Sequence, residues 1–137
     1  MKNRKLPIAI GVIFLLAACT GDPRPPEEIV AERAQARWDA LVERDFQTAW
    51  QFYTPGYRQQ LPATDFAVEM ARRQVRWTEG SVTAVECDEQ ENRCDVHSIV
   101  HYEVPGRFPG VGALKGESGV DEIWLQIDGK WWYSADA

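Results

Sequence analysis

Two cysteines and two histidines lie close together in the sequence, at Cys87, Cys94, His97 and His101. A shared zinc ion is one interpretation of this set. Residues four apart on a strand lie ~13 Å from each other, so the two imidazoles cannot easily bind one ion. The cysteines instead flank the polar stretch 88–93, which has the composition of a hairpin loop. We therefore expect a Cys87–Cys94 disulfide, as an oxidising compartment would allow, and no metal site.

The sequence contains side chains that could act in acid–base catalysis, but it does not indicate that they meet in one site. His97 and His101 are candidate acid–base groups, because imidazole is a common proton donor and acceptor in catalysis. They alternate with the apolar residues of their strand, however, and are expected to face solvent or a neighbouring subunit. Two pairs of carboxylates are of the kind that glycosidases use: Asp65 with Glu69, and Asp121 with Glu122. Nothing in the sequence converges on either pair, so a solvated surface is expected for both. We assign no catalytic residue from the sequence.

The N-terminus has the order of a secretion signal. A positively charged start, at residues 2–5, precedes thirteen apolar residues, 6–18. As a helix these reach only about 20 Å, short of the ~30 Å hydrocarbon core. The run ends in Leu16-Ala17-Ala18-Cys19, which resembles a bacterial lipobox. The resemblance implies diacylation of the Cys19 sulfur, cleavage before Cys19 and acylation of the new amino group. An ordinary secretory signal with a chance cysteine is the alternative.

Residues after the predicted cleavage site, and the charge of the chain, indicate the location and the partners of the mature protein. Lipoproteins retained at the inner membrane typically have an aspartate after the lipidated cysteine, and Thr20 stands at that position here. We therefore expect the anchor in the outer membrane and the domain in the periplasm. Residues 19–26 are predicted to be a lipidated, proline-rich tether, and residues 27–137 a single domain. The net charge of −6 argues against nucleic acid as a partner. The membrane is expected as a partner through the lipid anchor alone.

Apolar periodicity predicts helices in the first half of the domain. Val30, Ala34, Trp38 and Leu41 recur at helical spacing from Glu27 onward. Asp45 is expected to cap a second helix that Pro55-Gly56 ends. A third helix is predicted from Thr64. The apolar residues of the second and third helices are Phe46, Ala49, Trp50, Tyr53, Phe66 and Met70.

The second half is predicted to form strands. Residues 81–87 and 94–104 flank the polar loop, and residues 123–127 and 130–133 flank Asp128-Gly129, a strong type I′ turn sequence. That turn sets Trp124 opposite Tyr133 and Leu125 opposite Trp132. Helices followed by antiparallel strands predict an α+β fold, in which the N-terminal helices pack on one side of a strongly curved antiparallel sheet.

Two regions are expected to contact a ligand or partner. The stretch 105–116 is rich in glycine and proline but carries Phe108, Val111 and Leu114. Long loops of this kind often bind something. Trp124 and Trp132 are predicted on opposite faces of the last hairpin, one packed beneath the helices with Trp38 and Trp50 and the other on the outer face as an interface anchor.

Two segments resemble a known superfamily. "ERDFQTAWQFYTP" at 43–55 and "DEIWLQIDGKWWYSAD" at 121–136 are similar to the nuclear transport factor 2-like, or cystatin-like (SnoaL-like), proteins. The resemblance implies a cone of three helices against a bent sheet, enclosing a pocket. Relatives include ketosteroid isomerase-like enzymes, polyketide cyclases and non-catalytic modules. The isomerase-like enzymes have a tyrosine in the first helix, which residues 27–44 lack. Tyr53, Tyr57 and Tyr102 are alternative pocket candidates.

Two classes of function follow. The first is a membrane-anchored periplasmic lipoprotein whose domain binds a ligand, an envelope protein or a second copy of itself, without catalysis. The second is a small pocket enzyme of the isomerase, cyclase or hydrolase type. The missing catalytic constellation favours the first class, for which no cofactor is expected.

Overall fold

The computed structural model describes residues 21–135, so the predicted signal sequence and Cys19 lie outside the described residues. The described part is an α+β fold with helices first and a curved antiparallel sheet after them. The elements are α1 (Pro26–Val42), α2 (Phe46–Trp50), α3 (Pro55–Gln60), α4 (Ala63–Arg72), β1 (Arg76–Asp88), β2 (Arg93–Val104), β3 (Leu114–Ile127) and β4 (Lys130–Ser134). None of the helices within residues 21–135 combines the length and apolar character needed to cross a bilayer.

The helices begin where local chemistry favours a first turn. Pro26 opens α1 with its fixed φ, and the Asp45 side chain caps α2 by accepting a hydrogen bond from Thr48 N at 3.1 Å. The prediction that Pro55-Gly56 ends the second helix is wrong, because α2 already ends at Trp50. Thr54 caps a further short helix, α3, of which Pro55 is the first residue. Proline suits this position because a first-turn N–H has no intrahelical partner to lose.

The sheet is a simple meander in the order β1-β2-β3-β4, with every neighbouring pair antiparallel. Cys87 and Cys94 are directly paired across β1 and β2, and they form the expected disulfide. The last hairpin also has the predicted register, with Trp124 opposite Tyr133 and Leu125 opposite Trp132. Its turn residues both have positive φ, as a type I′ turn requires.

The helices cover one face of this sheet. Helix α1 packs on β1 and β2, and Gly80 of β1 allows the close approach, since a Cβ there would lie 2.9 Å from Cβ of Trp38. Trp124 is fully buried on the same face, in contact with Phe52 and Tyr133. Its predicted neighbours Trp38 and Trp50 belong to a different core cluster. The core is thus divided in two along α1, and a pocket lies beside one of its halves.

Candidate functional site

A pocket of about 480 Å³ lies between the helices and the covered face of the sheet. Helices α1 and α4 form two of its walls, and strand β3 contributes its inward-facing residues. Most of the lining is aromatic or aliphatic, as is usual for a small-molecule site. The lining residues are Arg37, Trp38, Leu41, Tyr53, Tyr57, Phe66, Glu69, Met70, Arg73, Trp77, Val120, Glu122, Tyr133 and Ala135.

A buried ion pair forms the polar part of this pocket. Arg37 Nη1 donates to Glu122 Oε1, and the two side chains are only 6% and 1% exposed. Trp38 Nε1 donates to the second carboxylate oxygen, Oε2, at 3.0 Å. Arg37 Nη2 donates to the Tyr53 hydroxyl at 3.2 Å. Both oxygens of Glu122 are therefore occupied by protein donors.

Burial dominates the electrostatics of these groups. Loss of solvation raises the pKa of Glu122 above its usual value, although the charge of Arg37 and the donated hydrogen bonds oppose the shift. Burial likewise raises the pKa of Tyr133. The Arg37 guanidinium carbon lies 3.7 Å from the centroid of the Tyr133 ring. The cation is thus held by a carboxylate and an aromatic face together.

The aromatic walls of the pocket support one another. The rings of Tyr53 and Tyr57 are stacked with centroids 4.6 Å apart, and Phe66 meets Tyr53 edge-on at 5.0 Å. On the other side Trp77 meets Trp38 edge-on at 6.1 Å. Two of the tyrosines proposed from the sequence therefore face the pocket. The walls offer flat apolar surfaces on which a planar ligand can stack.

The pocket continues along the sheet towards its open end. A second cavity of about 650 Å³ shares Arg73, Trp77 and Val120 with the first one. It extends to Tyr102, the third tyrosine proposed from the sequence, and to Ser118. The loop 105–113 connects β2 and β3 just beyond this end of the sheet.

The residues predicted for ligand or partner contact lie in three different places. Phe108, Val111 and Leu114 are 72%, 47% and 61% exposed in and beside the loop, and they line neither cavity. Trp124 is buried in the core, so it is not available for contact. Trp132 is partly exposed at the edge strand β4, where the guanidinium carbons of Arg33 and Arg58 lie over its ring.

The sequence-based interpretation of Glu122 is wrong, because this acid is buried in the core rather than solvated. Its neighbour Asp121 is exposed on the outer face, 2.6 Å from His97 Nδ1. His101 has a similar position, with Nε2 3.5 Å from an oxygen of Glu117. Strand alternation could have identified Glu122, because it shares a face with Trp124. Within residues 21–135, no group of three or more metal-ligating side chains comes together.

Comparisons with known proteins support the fold alone. No protein-family model matches the chain, and no curated protein matches it significantly in sequence. Solved structures do match. One is a SEC-C motif containing protein from Rhodopseudomonas palustris, with 16% identity over 74% of this chain and 72% of the other, and a TM-score of 0.56.

Two further matches have proposed enzyme activities. A proposed dehydratase of the nuclear transport factor 2-like family, from Streptomyces avermitilis, has 12% identity over 78% of this chain and 90% of its own, with a TM-score of 0.52. A proposed polyketide cyclase from Xanthomonas campestris has 15% identity, coverages of 80% and 92%, and a TM-score of 0.51. The resemblance noted in the sequence thus holds at the level of the fold.

Proposed function

We propose that this protein is a lipid-anchored protein of the bacterial envelope whose domain binds a small, flat, apolar ligand without catalysis. The proposal rests on the hydrogen bonds made by the carboxylate of Glu122. This buried acid of the pocket has both carboxylate oxygens occupied, by Arg37 and by Trp38. It therefore supports the walls of a binding pocket rather than a reaction.

Proton transfer needs a group that can reach the substrate. A general base must come within hydrogen-bond distance of the proton that it removes. The side chain of Glu122 is 1% exposed and turned towards its protein donors. The second acid of the pocket, Glu69, is exposed on α4 at the mouth. This arrangement favours binding over isomerisation or hydrolysis.

The walls indicate the class of ligand. Six aromatic side chains line a volume of about 480 Å³, which suits a ligand of one or a few fused rings. Arg73 and Glu69 at the mouth offer polar contacts for the end of the ligand that stays near water. Phe108, Val111 and Leu114 are exposed and line neither cavity, so we propose that they contact an envelope partner instead.

Ligand binding is tested by filling the pocket. Val120, partly buried on β3, faces both cavities, so Val120→Trp should block them from the sheet side. Val68→Trp adds the same ring on α4 where the side chain is 48% exposed, and serves as the control. A fluorescent polycyclic probe should bind the wild type and the control, and at least tenfold more weakly to Val120→Trp. Equal binding by all three folded proteins would contradict the pocket.

Catalysis is the second candidate, and one observation favours it. The raised pKa of Glu122 places an acid of unusual basicity beside an aromatic pocket, as several enzymes require. Two of the matching structures have proposed enzyme activities. If the protein turns over a cyclic ketone or a cyclic alcohol, and Glu122→Gln folds but loses this activity, catalysis would be the better account of the pocket.

A further inference from the structure

A basic patch lies at the edge of β4, away from the ligand pocket. It consists of Arg33, Arg58 and Lys130, which line a cavity of about 520 Å³ together with Phe52 and Trp132. The three cations come from α1, α3 and β4, so only the tertiary structure brings them together. The chain as a whole is acidic, with a net charge of −6. A concentration of positive charge on such a chain calls for a specific explanation.

Aromatic rings hold the two guanidinium groups in place. The guanidinium carbon of Arg58 lies 4.7 Å from the ring centroid of Trp132 and 5.2 Å from that of Trp50. The guanidinium carbon of Arg33 lies 5.2 Å from the ring centroid of Phe52 and 5.5 Å from that of Trp132. The rings fix the planes of the guanidinium groups without occupying their N–H donors. Both groups are thus preorganised for an acceptor.

The donors of this patch are only partly used. Arg33 Nε donates to the Trp131 carbonyl oxygen at 2.8 Å. Arg58 Nε is buried and has no hydrogen-bond partner. Within residues 21–135, neither arginine forms an ion pair with a carboxylate. Burial lowers the pKa of Arg33, and repulsion from the nearby Arg58 cation adds to this shift, while Glu32 opposes it. A bound anion would relieve this repulsion.

The charge and geometry of the patch fit a phosphate group. Guanidinium groups bind phosphate through pairs of parallel hydrogen bonds. Three cations match a phosphomonoester, which carries between one and two negative charges, better than a single carboxylate. The patch also faces the start of the described chain. Arg33 and Lys130 line an adjoining cavity of about 460 Å³ together with Gly21 and Asp22, which are two and three residues after Cys19 in the sequence.

We propose that Arg33, Arg58 and Lys130 bind the phosphate of an anionic phosphomonoester lipid headgroup. The choice of a lipid over a soluble phosphate rests on the proposed anchor at Cys19, which would hold this patch at the bilayer surface. The rest of the acidic domain is repelled by anionic lipid. The patch therefore orients the domain, with β4 and the start of α1 towards the membrane.

The test uses the full chain purified from bacterial membranes in a neutral detergent. It is titrated with micelles containing phosphatidic acid, with micelles containing phosphatidylcholine, and with inorganic phosphate. Binding is followed by phosphorus NMR line broadening and by the melting temperature. Arg33→Gln/Arg58→Gln removes two charges from the patch, and Lys130→Glu reverses the charge of an exposed residue. Arg72→Gln/Arg107→Gln removes two exposed charges elsewhere and is the control.

Phosphatidic acid should bind at least tenfold more tightly than phosphatidylcholine. Arg33→Gln/Arg58→Gln should weaken binding about a hundredfold, because each of the two lost charge-assisted hydrogen bonds is worth about a factor of ten. Lys130→Glu should weaken it severalfold, and the control should not. Equal loss in the control, or equal binding of the two lipids, would overturn the site. Inorganic phosphate binding as tightly as the lipid would overturn the lipid assignment. The mass of the purified chain tests the anchor separately.

Discussion

At the residue scale, the protonation of Glu122 is coupled to folding. Burial raises its pKa above the ordinary value of 4.5, so the folded chain binds this proton more tightly than the unfolded chain does. The stability that results is complete below pH ~4.5 and is lost as the pH rises through the raised pKa. Arg37 is the buried group that opposes this shift most strongly.

We therefore expect Glu122→Gln to have a pH-dependent effect. The amide cannot titrate, so the melting temperature of the wild type minus that of the variant should be larger at pH 4 than at pH 7. Calorimetry at the two pH values measures it. Glu69→Gln, whose side chain is exposed at the mouth of the same pocket, is the control. A difference that grows with pH would mean that the ion pair with Arg37 outweighs burial.

At the scale of elements, the last hairpin has a core face and an edge. Trp124 of β3 is fully buried, whereas Trp132 of β4 is partly exposed and contacts arginine side chains. Trp124→Ala should cost about 3–5 kcal/mol and lower the melting temperature by more than about 10 °C. Trp132→Ala should cost about 1 kcal/mol through lost cation–π contacts. Similar losses in thermal unfolding of the two variants would refute this division.

The hairpin of β1 and β2 is closed by the Cys87–Cys94 disulfide. Its short loop should contribute about 2–3 kcal/mol by restricting the unfolded chain. We expect Cys94→Ala to lower the melting temperature by about 5–10 °C. Because Cys94 is also buried, part of this loss would come from packing. Melting the wild type in a thiol reductant breaks the disulfide and leaves the packing of Cys94 in place. An unchanged melting temperature in the reductant would show that the disulfide does not stabilise the fold.

At the scale of the whole molecule, the proposed anchor decides where the domain works. We expect Cys19→Ser to leave the chain unprocessed or to release it from the membrane, because the acylated sulfur is lost. Cell fractionation and labelled palmitate measure both outcomes. Cys94→Ser serves as the control, since it removes a cysteine that the anchor does not use. A Cys19→Ser protein that still carries palmitate and sediments with membranes would contradict the lipobox interpretation.

The local order of this chain could be predicted from its sequence, because short-range physics determines it. Apolar periodicity indicated α1 and α4, and Asp128-Gly129 fixed the register that sets Trp124 opposite Tyr133. The placement of Cys87 and Cys94 at the two ends of one loop was sufficient to predict the disulfide. The helix α3 was not predicted because proline is common both in the first turn of a helix and shortly after the end of one.

Only the tertiary structure decided which polar residues meet. Arg37 and Glu122 are 85 positions apart, and no local pattern shows that their two side chains meet. Arg33, Arg58 and Lys130 likewise come from three elements that are distant in the sequence. Periodicity reports which face of one element is buried, but not which face of another element lies against it. The pocket and the basic patch therefore depend on how α1 packs on the sheet, which no local pattern specifies.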